Sequence, residues 1–556
     1  PLFGGGPTAG AALTARRRVS GSVAVGLVGR WSWHVGVAHV WAAGLSVSWG
    51  AARGGTLRAE PVDLEPVFPT LRARYAEQGV GSLRLVNTGS FPVAVSEVEA
   101  SAPPYTAGPT VLTQDAELGA GESMRVPIVL DFADRLLGVV GDHTVRCDIE
   151  VRYNYGSSQG VTRLRVPLDV VDRNSIVWDD TAKACLFVTE KDPAVRGFTG
   201  QVAAALHARR GSLVAESFEL ALTTLVALDA YSLAYLPDPT SSYATACTGD
   251  TIDYIRFPRE TLADGVGDCD DLAVLYCALL ESAGMETALL TVPGHILVAV
   301  SLEMETGVAL RRFANGRTLL DVDGTAWLPL ETTVMDDAVE SWRSAARQYG
   351  EAAAAGEAGF LRVRDAWDRY PPVALRTADT AAPTIDEEAL QTAIERVAAA
   401  VVGSEMEPLA AAIRERIADG GPRVGREFNR LGVLYASYGE LDDARAAFRA
   451  AVERTGYAQA QVNLANVLVL LVDYEEALEI YEAYRAVHGE SAAVALGLSL
   501  ARFRLADYEG AARAYERLTR LAPARAEQNA YLVVQSLDTI EPARASVRGW
   551  EVVWVE

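Results

Sequence analysis

Two short motifs hold the side chains best suited to covalent chemistry. Cys269 lies in Gly267–Asp271, at the start of a run whose apolar residues recur at helical spacing. His295 follows the turn-forming pair Pro293-Gly294 and begins an apolar, strand-like segment. Only the thiolate form of cysteine attacks, and the N-terminus of a helix favours that charged form. A thiol nucleophile with an imidazole base predicts acyl transfer.

The helix start cannot activate the thiol by itself, because Asp270 and Asp271 place negative charge beside it. His295 is therefore needed as a partner, and a Cys–His ion pair is expected. The imidazole in turn needs an acceptor that orients it. The following hairpin offers three carboxylates: Asp321, Asp323 and Glu331. Asp323 is best explained by the tight turn that it makes with the next glycine, so the other two stay open.

Several segments around these residues resemble the transglutaminase-like superfamily, over roughly residues 175–345. The matching segments are Phe257–Leu262, Gly267–Asp271, Leu279–Gly284, Pro293–His295 and Trp327–Thr333. The resemblance implies an α+β, papain-like fold with a Cys–His–Asp triad. It makes Cys269 the nucleophile, His295 the base and Glu331 the third residue, where the family usually has aspartate. The 36 residues from His295 to Glu331 exceed the usual spacing, which predicts an insertion between two strands.

The regions N-terminal to this α+β domain, itself predicted at 174–350, have two different patterns. Residues 59–173 alternate apolar and polar side chains between Gly, Asn and Ser turns, which predicts an all-β sandwich. That sandwich resembles the immunoglobulin-like modules common beside bacterial surface enzymes. Residues 1–58 are predicted to be a leader, because no Asp, Glu, Lys or Arg occurs from Trp31 to Ala52, a length that spans a bilayer. A signal peptide or membrane anchor, and hence localisation in the cell envelope, is expected.

The C-terminal part of the chain carries an internal repeat. Ala444, Ala477 and Ala511 recur at steps of 33 and 34 residues, with aromatic residues at related positions. The pattern resembles the tetratricopeptide repeat and predicts an all-α helical repeat solenoid at 424–535, which would bind a protein partner in its concave face. The flanking segments are predicted as a linker at 351–384, a helical cap at 385–423 and an unplaced, strand-like tail at 536–556.

The composition excludes several other functions. The chain of 556 residues has a formal net charge of −23 and a pI near 4.8, which argues against binding nucleic acid. Its five cysteines form no CxxC pair, so neither a disulfide framework nor a zinc site is expected. Cys147 and Cys277 are predicted to be core residues. Asp268, Asp270 and Asp271 lack the spaced oxygen ligands of a calcium loop, so we expect no metal and no other cofactor.

These observations predict a thiol enzyme that acts on peptide bonds or glutamine-type amides through Cys269, His295 and Glu331. Hydrolysis is the first expectation, and cross-linking to an amine stays open. The substrate would be a protein or peptide, and the repeats would recruit a protein partner. The alternative is a catalytically weak or inactive envelope scaffold that binds proteins through its repeats and β-sandwich. The intact Cys–His pair favours the enzyme, whereas the glutamate and the large repeat array favour the scaffold.

Overall fold

This computed structural model describes residues 57–208, 213–237, 252–375, 383–533 and 552–555, together with the backbone of three strands within residues 8–49. The chain forms two compact units. One comprises residues 1–180 and 238–255, and the other comprises residues 181–237 and 256–556. Cys247 and most of the predicted tail lie outside the described residues.

The elements alternate between strands and helices only in the middle of the chain. The strands are β1 Thr8–Ser20, β2 Val23–His34, β3 Val37–Trp49, β4 Leu57–Val62, β5 Ser82–Asn87, β6 Val93–Ser101, β7 Thr110–Leu118, β8 Ser123–Pro127, β9 His143–Tyr155, β10 Ser158–Val170, β11 Ser175–Val177, β12 Ala234–Tyr235, β13 Ile252–Tyr254, β14 Val266–Gly267, β15 Thr287–Val292, β16 His295–Glu305, β17 Leu320–Val322, β18 Thr325–Leu330 and β19 Gly359–Arg362. The helices are α1 Pro193–Ala208, α2 Glu216–Ala230, α3 Pro258–Asp264, α4 Cys269–Ser282, α5 Thr306–Arg312, α6 Ala338–Ala355, α7 Val363–Trp367, α8 Glu387–Val401, α9 Glu407–Ala418, α10 Val424–Ser437, α11 Leu441–Thr455, α12 Ala458–Leu470, α13 Tyr474–His488, α14 Ala492–Arg504, α15 Tyr508–Leu521 and α16 Pro523–Gln528.

The first unit is rich in β-structure, as predicted for the N-terminal region. Strands β10, β9, β6 and β7 form one antiparallel sheet in that order, and β4, β5 and β8 form a second. Alternate residues of both sheets, such as Leu85, Val95 and Val151, are fully buried in one shared core. This follows from the two-residue period of a strand, which sends every second side chain to the same face.

The predicted leader, residues 1–58, contains strands β1, β2 and β3, which pair as an antiparallel sheet in that order. Among the described residues, no helix is long and apolar enough to cross a membrane. The signal peptide or membrane anchor stays a prediction.

A five-stranded antiparallel sheet, in the order β17-β18-β16-β15-β19, organises the second unit. Leu290 and Leu297 belong to a core with Trp327 and residues of α6, which packs on that face. Their neighbours Leu289 and Val298 point to the opposite face, are fully buried as well, and lie on the side of α4. Because helices cover both faces, the central strands carry apolar residues on both faces there, as in Ile296–Val300. The middle of the chain is therefore mixed α/β, as predicted.

The segment predicted as a linker, residues 351–384, instead contributes an edge strand to this sheet. β19 pairs with β15, and Phe360 packs edge-on against Trp327 with 5.2 Å between the ring centroids. A Cβ on Gly359 would lie 2.3 Å from Thr291 Oγ1, so a larger residue there would force the Thr291 side chain to move. An Ala/Gly/Pro-rich composition favours a linker, but four residues are enough to extend a sheet edge.

The C-terminal part of the second unit is a continuous run of helices from α8 to α16. Small residues of one helix face aromatic rings of another: a Cβ on Gly432 would lie 2.5 Å from the Phe448 ring, and one on Gly497 would lie 2.2 Å from the Tyr481 ring. The alanines that mark the repeat are fully buried: Ala444, Ala477 and Ala511. Close helix contacts thus account for small residues in this region, while the identity of the repeat stays a prediction.

Candidate active site

Cys269 is the first residue of α4, and neighbouring side chains fix where that helix begins. Asp268 is the N-cap: its carboxylate accepts the N–H of Asp271, and the Asp271 carboxylate accepts the N–H of Asp268, both at 3.3 Å. This reciprocal capping box satisfies donors that a helix start leaves free. A Cβ on Gly267 would lie 2.9 Å from Asp271 Cβ, so glycine is needed before the cap. The cysteine, 7% exposed, is thereby held at the helix N-terminus.

His295 and Glu331 meet through the register of two antiparallel strands. His295 begins β16 after a two-residue turn, and Glu331 directly follows β18. Val298 pairs with Leu330, so the start of β16 lies beside the end of β18. The residues between these two strands include α5 and β17. As a result, His295 Nε2 lies 2.7 Å from Glu331 Oε2.

Glu331 is buried and accepts four hydrogen bonds. Its Oε2 accepts hydrogen bonds from His295 Nε2 at 2.7 Å and from Gln348 Nε2 at 2.9 Å. Its Oε1 accepts hydrogen bonds from the Thr333 N–H at 3.1 Å and from the Thr333 hydroxyl at 2.7 Å. Burial by itself would raise the pKa of this carboxyl. The hydrogen bond and the charge of His295 oppose the effect of burial, and so do the hydrogen bonds from Thr333 and Gln348. Together they lower the pKa of Glu331 below its ordinary value. Glu331 is therefore ionised at neutral pH.

This contact determines which nitrogen of His295 can act as a base. An ionised Glu331 can only accept, so Nε2 must carry the proton that it donates. The neutral ring then has its free lone pair on Nδ1. Glu331 is thus placed to orient the ring, and Nδ1 is the nitrogen available for proton transfer.

The thiol of Cys269 lies next to the start of β16. A backbone hydrogen bond from Ile296, the residue after His295, reaches the sulfur. Burial, then the charges of Asp270 and Asp268, raise the pKa of the thiol well above its ordinary range, and the Ile296 bond offsets only part of this. The resting site therefore favours a neutral thiol, and the ion pair expected from the sequence is not the resting form.

The acidic cluster beside Cys269 has a structural explanation. Ligand oxygens of Asp268, Asp270 and Asp271 lie within 4.8 Å of one another. Asp271 shares the capping box and also accepts the N–H and the guanidinium of Arg256. Burial and the charge of Asp268 raise the pKa of Asp271 to about 6, although Arg256 opposes the shift. Asp270 Oδ1 also accepts the N–H of Asp271, at 3.1 Å, so hydrogen bonds within the helix start hold the three carboxylates close together.

The two other candidate carboxylates have partners elsewhere. Asp321 Oδ1 accepts the Thr306 hydroxyl at 2.9 Å and the Gly324 N–H at 3.0 Å. Asp323 has a positive φ of 54° in the hairpin turn and accepts Arg362 Nη2 at 2.9 Å. Of the three, Glu331 is the carboxylate hydrogen-bonded to the imidazole.

Three further residues of the site have no assigned role in the sequence analysis. Thr333 and Gln348 hold the Glu331 carboxylate. Tyr235 lies in β12, opposite Gly267 of β14, and is 43% exposed. Burial, followed by the charges of Cys269 and the nearby carboxylates, raises the pKa of its phenol, so the phenol lies within electrostatic range of the site. The hydrophobic periodicity of the sequence does not identify these residues. Strand β12 has only two residues, too few to show a period, and Gln348 reaches the carboxylate from a separate helix.

Replacing Asp270 with asparagine is expected to make Cys269 more reactive. Among the neighbouring charges, that of Asp270 raises the pKa of the thiol most. Removing this charge therefore increases the thiolate fraction at neutral pH. A change of about one pKa unit predicts a roughly three- to tenfold faster alkylation by iodoacetamide, since a more acidic thiol is also a weaker nucleophile. Peptide mapping of alkylated Cys269 over time measures the rate. Glu388→Gln, in the exposed first turn of α8, is the control and should leave it unchanged.

The remaining described cysteines are buried: Cys147, Cys185 and Cys277. Burial raises the pKa of Cys277, in the interior of α4, well above its ordinary range. Cys269 is therefore the described thiol that combines a helix start with a sulfur next to the backbone of Ile296, the residue after His295, and within electrostatic range of Glu331. Compared with known proteins, the chain matches no protein-family model and no curated protein.

Proposed function

We propose that this chain is a thiol-dependent hydrolase of the transglutaminase-like superfamily, acting on peptide bonds or glutamine-type amides. The observation that carries the proposal is the 2.7 Å contact between His295 Nε2 and Glu331 Oε2, with the backbone of the next residue, Ile296, hydrogen-bonded to the sulfur of Cys269 at a helix start. A nucleophile, a base and a carboxylate that orients the base are the groups that this kind of acyl transfer needs.

The reaction would proceed through a thioester. As Cys269 Sγ attacks the carbonyl carbon, its proton passes to His295 Nδ1, because the thiol is protonated at rest. The backbone N–H of Cys269, at the start of α4, would stabilise the oxyanion. When the tetrahedral intermediate collapses, the C–N bond breaks and the imidazolium gives its proton to the leaving amine. Glu331 stabilises the imidazolium while it exists.

Either water or an amine can resolve the thioester. Water, deprotonated by His295 Nδ1, releases a carboxylic acid and restores the Cys269 thiol. An amine in the same position forms a new amide, which is a cross-link. We place hydrolysis first because water is present at every turnover, whereas cross-linking needs a second protein substrate in the same cleft.

The other regions would serve binding and location. Two antiparallel sheets around one core fit an immunoglobulin-like sandwich. Paired helices with a 33- to 34-residue period, from α10 to α15, fit tetratricopeptide repeats that hold a protein partner or substrate. Export to the cell envelope, with a signal peptide or membrane attachment through residues 1–58, belongs to the same proposal.

A catalytically weak or inactive scaffold is the second candidate. One observation favours it: burial, Asp270 and Asp268 raise the pKa of the Cys269 thiol. A cysteine that stays protonated reacts slowly, since the thiolate is the nucleophile. The repeats and the two-sheet unit would then bind proteins without turnover.

Incubation of the full chain with a peptide library and with cell-envelope extract distinguishes the two candidates. The enzyme predicts new peptide termini or glutamine-to-glutamate conversion, read by mass spectrometry, that Cys269→Ala abolishes. Cys277→Ala removes a thiol from the same helix and should keep the activity. New isopeptide bonds in place of new termini would make cross-linking the main reaction. Identical products with wild type and Cys269→Ala would contradict the enzyme and favour the scaffold.

A further inference from the structure

Three buried asparagines of the helical region contact a segment far from them in sequence. Asn429 lies in α10, and Asn463 and Asn466 lie in α12; each is at most 1% exposed. Buried side-chain amides need hydrogen-bond partners. Here the partner is the backbone of Val552–Val555, which the sequence analysis leaves unplaced. We call the surface formed by the three side chains the asparagine groove.

The asparagine groove binds this segment as a neighbouring strand would. Asn463 Nδ2 donates to the Val555 carbonyl at 2.7 Å, and its Oδ1 accepts the Val555 N–H at 2.8 Å. Asn429 Nδ2 donates to the same carbonyl at 2.8 Å, and Asn466 Nδ2 donates to the Val553 carbonyl at 2.8 Å. Carbonyls two residues apart face the same side when the chain is extended. The groove therefore recognises an extended backbone.

Neighbouring side chains also hold these amides in place, independently of the segment. Asn463 Nδ2 also donates to Asn429 Oδ1 at 2.8 Å, and the Tyr481 hydroxyl donates to Asn466 Oδ1 at 2.5 Å. Because both oxygens are engaged, the amide nitrogens of Asn429 and Asn466 are left to donate into the groove. An occupant that buries these donors has to supply acceptors for them, so the groove favours one whose backbone carbonyls lie at these positions.

The side chains of the occupant add a preference for certain residues. Trp554 stacks on Phe448 of α11, with 6.0 Å between the ring centroids and 17° between the planes. Val552 is 4% exposed and belongs to the core of the helical region. A Cβ on Gly432 would clash with the Phe448 ring, so glycine there allows the ring its position. Val553 and Val555 are partly buried and also pack against this core, so the pattern selected is four apolar residues with an aromatic residue in the third position.

We propose that the asparagine groove is a binding site for an extended peptide of this pattern, and that Val552–Val555 competes for it within the same chain. The proposal names the ligand for the binding role given to the repeats, and it rests on that part of the proposed function. A tethered segment has an effective concentration on the order of millimolar. If its intrinsic dissociation constant is about 0.1 mM, it weakens the binding of an external peptide about tenfold.

Fluorescence polarisation with a labelled peptide of residues 550–556 tests this in the full chain. Val555→Pro removes the N–H that Asn463 accepts, and it should raise peptide affinity about tenfold over wild type. Adding Asn463→Ala should abolish that gain, whereas Asn529→Ala, whose amide bonds within its own helical turn, should keep it. A probe peptide with alanine in place of its second tryptophan should bind more weakly. Equal affinity for wild type and Val555→Pro, or no effect of Asn463→Ala, would overturn the proposal.

Hydrogen–deuterium exchange of the wild-type chain tests whether Val552–Val555 occupies the groove, even if a variant fails to fold. The Val555 amide should be protected, and excess peptide should accelerate its exchange; an unprotected amide would overturn the proposal. Sedimentation of wild type and Val555→Pro identifies where the segment binds. A dimer that Val555→Pro dissociates would assign the segment to a second copy and would overturn competition within one chain. None of these measurements uses Cys269, so they succeed or fail independently of catalysis.

Discussion

Replacing His295 with alanine is expected to lower turnover by about 10²–10⁴-fold, the usual contribution of a positioned general base, without changing the fold. The Cys269 thiol is protonated at rest because burial and two aspartates raise its pKa, so each attack needs a proton acceptor. Glu331 holds Nε2, which leaves Nδ1 of His295 for that role. The measurement is kcat on the peptide substrate found with wild type, over a range of pH.

The pH profile separates loss of the base from structural damage. In His295→Ala only solution base can remove the thiol proton, so the residual rate should rise steeply with pH, and added imidazole should restore part of it. His488→Ala is the control, since His488 packs against the Tyr484 ring in α13, with 4.7 Å between the ring centroids, and lies outside the proposed catalytic site. Wild-type turnover in His295→Ala would rule out the proposed mechanism.

Local sequence signals predict the elements that carry the site. Gly267–Asp271 followed by apolar residues at helical spacing predicts the helix that starts at Cys269, and the capping box is the physical cause. The turn at Asp323-Gly324 is predicted equally well, because both residues have the positive φ that a tight hairpin needs. These features depend on neighbours a few residues apart, which the sequence displays directly.

Long-range contacts are what the sequence analysis misses. Residues alone leave Asp321 and Glu331 open as partners of His295, because the choice depends on the register of β16 and β18. The neutral thiol of Cys269 depends on burial, which no spacing reveals. The segment Val552–Val555 stays unplaced for the same reason, since side-chain amides of distant helices hold its backbone.

Glu331→Gln should lower turnover by about 10²–10⁴-fold, although it keeps the shape of the side chain. Four donors converge on the two oxygens of Glu331, and an amide offers one acceptor oxygen and one donor nitrogen. If that nitrogen faces His295, the ring must take the tautomer with its proton on Nδ1, which cannot accept the thiol proton. If it faces Thr333, it meets the Thr333 N–H and destabilises the site. Steady-state kcat/KM measures the loss of activity caused by the wrong tautomer of His295, and thermal unfolding measures the loss of stability.

The stability of the same variant should depend on pH in a defined direction. Folding lowers the pKa of Glu331, so its ionised form stabilises the fold above the unfolded-state pKa of about 4.3. That contribution is lost as pH falls through the lower, folded-state pKa. The difference in unfolding free energy between wild type and Glu331→Gln should therefore be largest at neutral pH and narrow in acid. A difference that does not change with pH would contradict an ionised Glu331.

Glu331→Asp should also reduce turnover, although it restores the residue usual in the superfamily that the chain resembles. Loss of one methylene withdraws the carboxylate by about 1.5 Å, which lengthens the His295 contact beyond hydrogen-bond range. Gln348→Leu is the matched control, because it removes one donor to Oε2 and leaves the His295 bond in place, so a smaller loss is expected. Full activity of Glu331→Asp would mean that the backbone after β18 moves to follow the shorter side chain. Reduced activity would mean that this backbone is rigid, so that the longer side chain of glutamate is what reaches the imidazole.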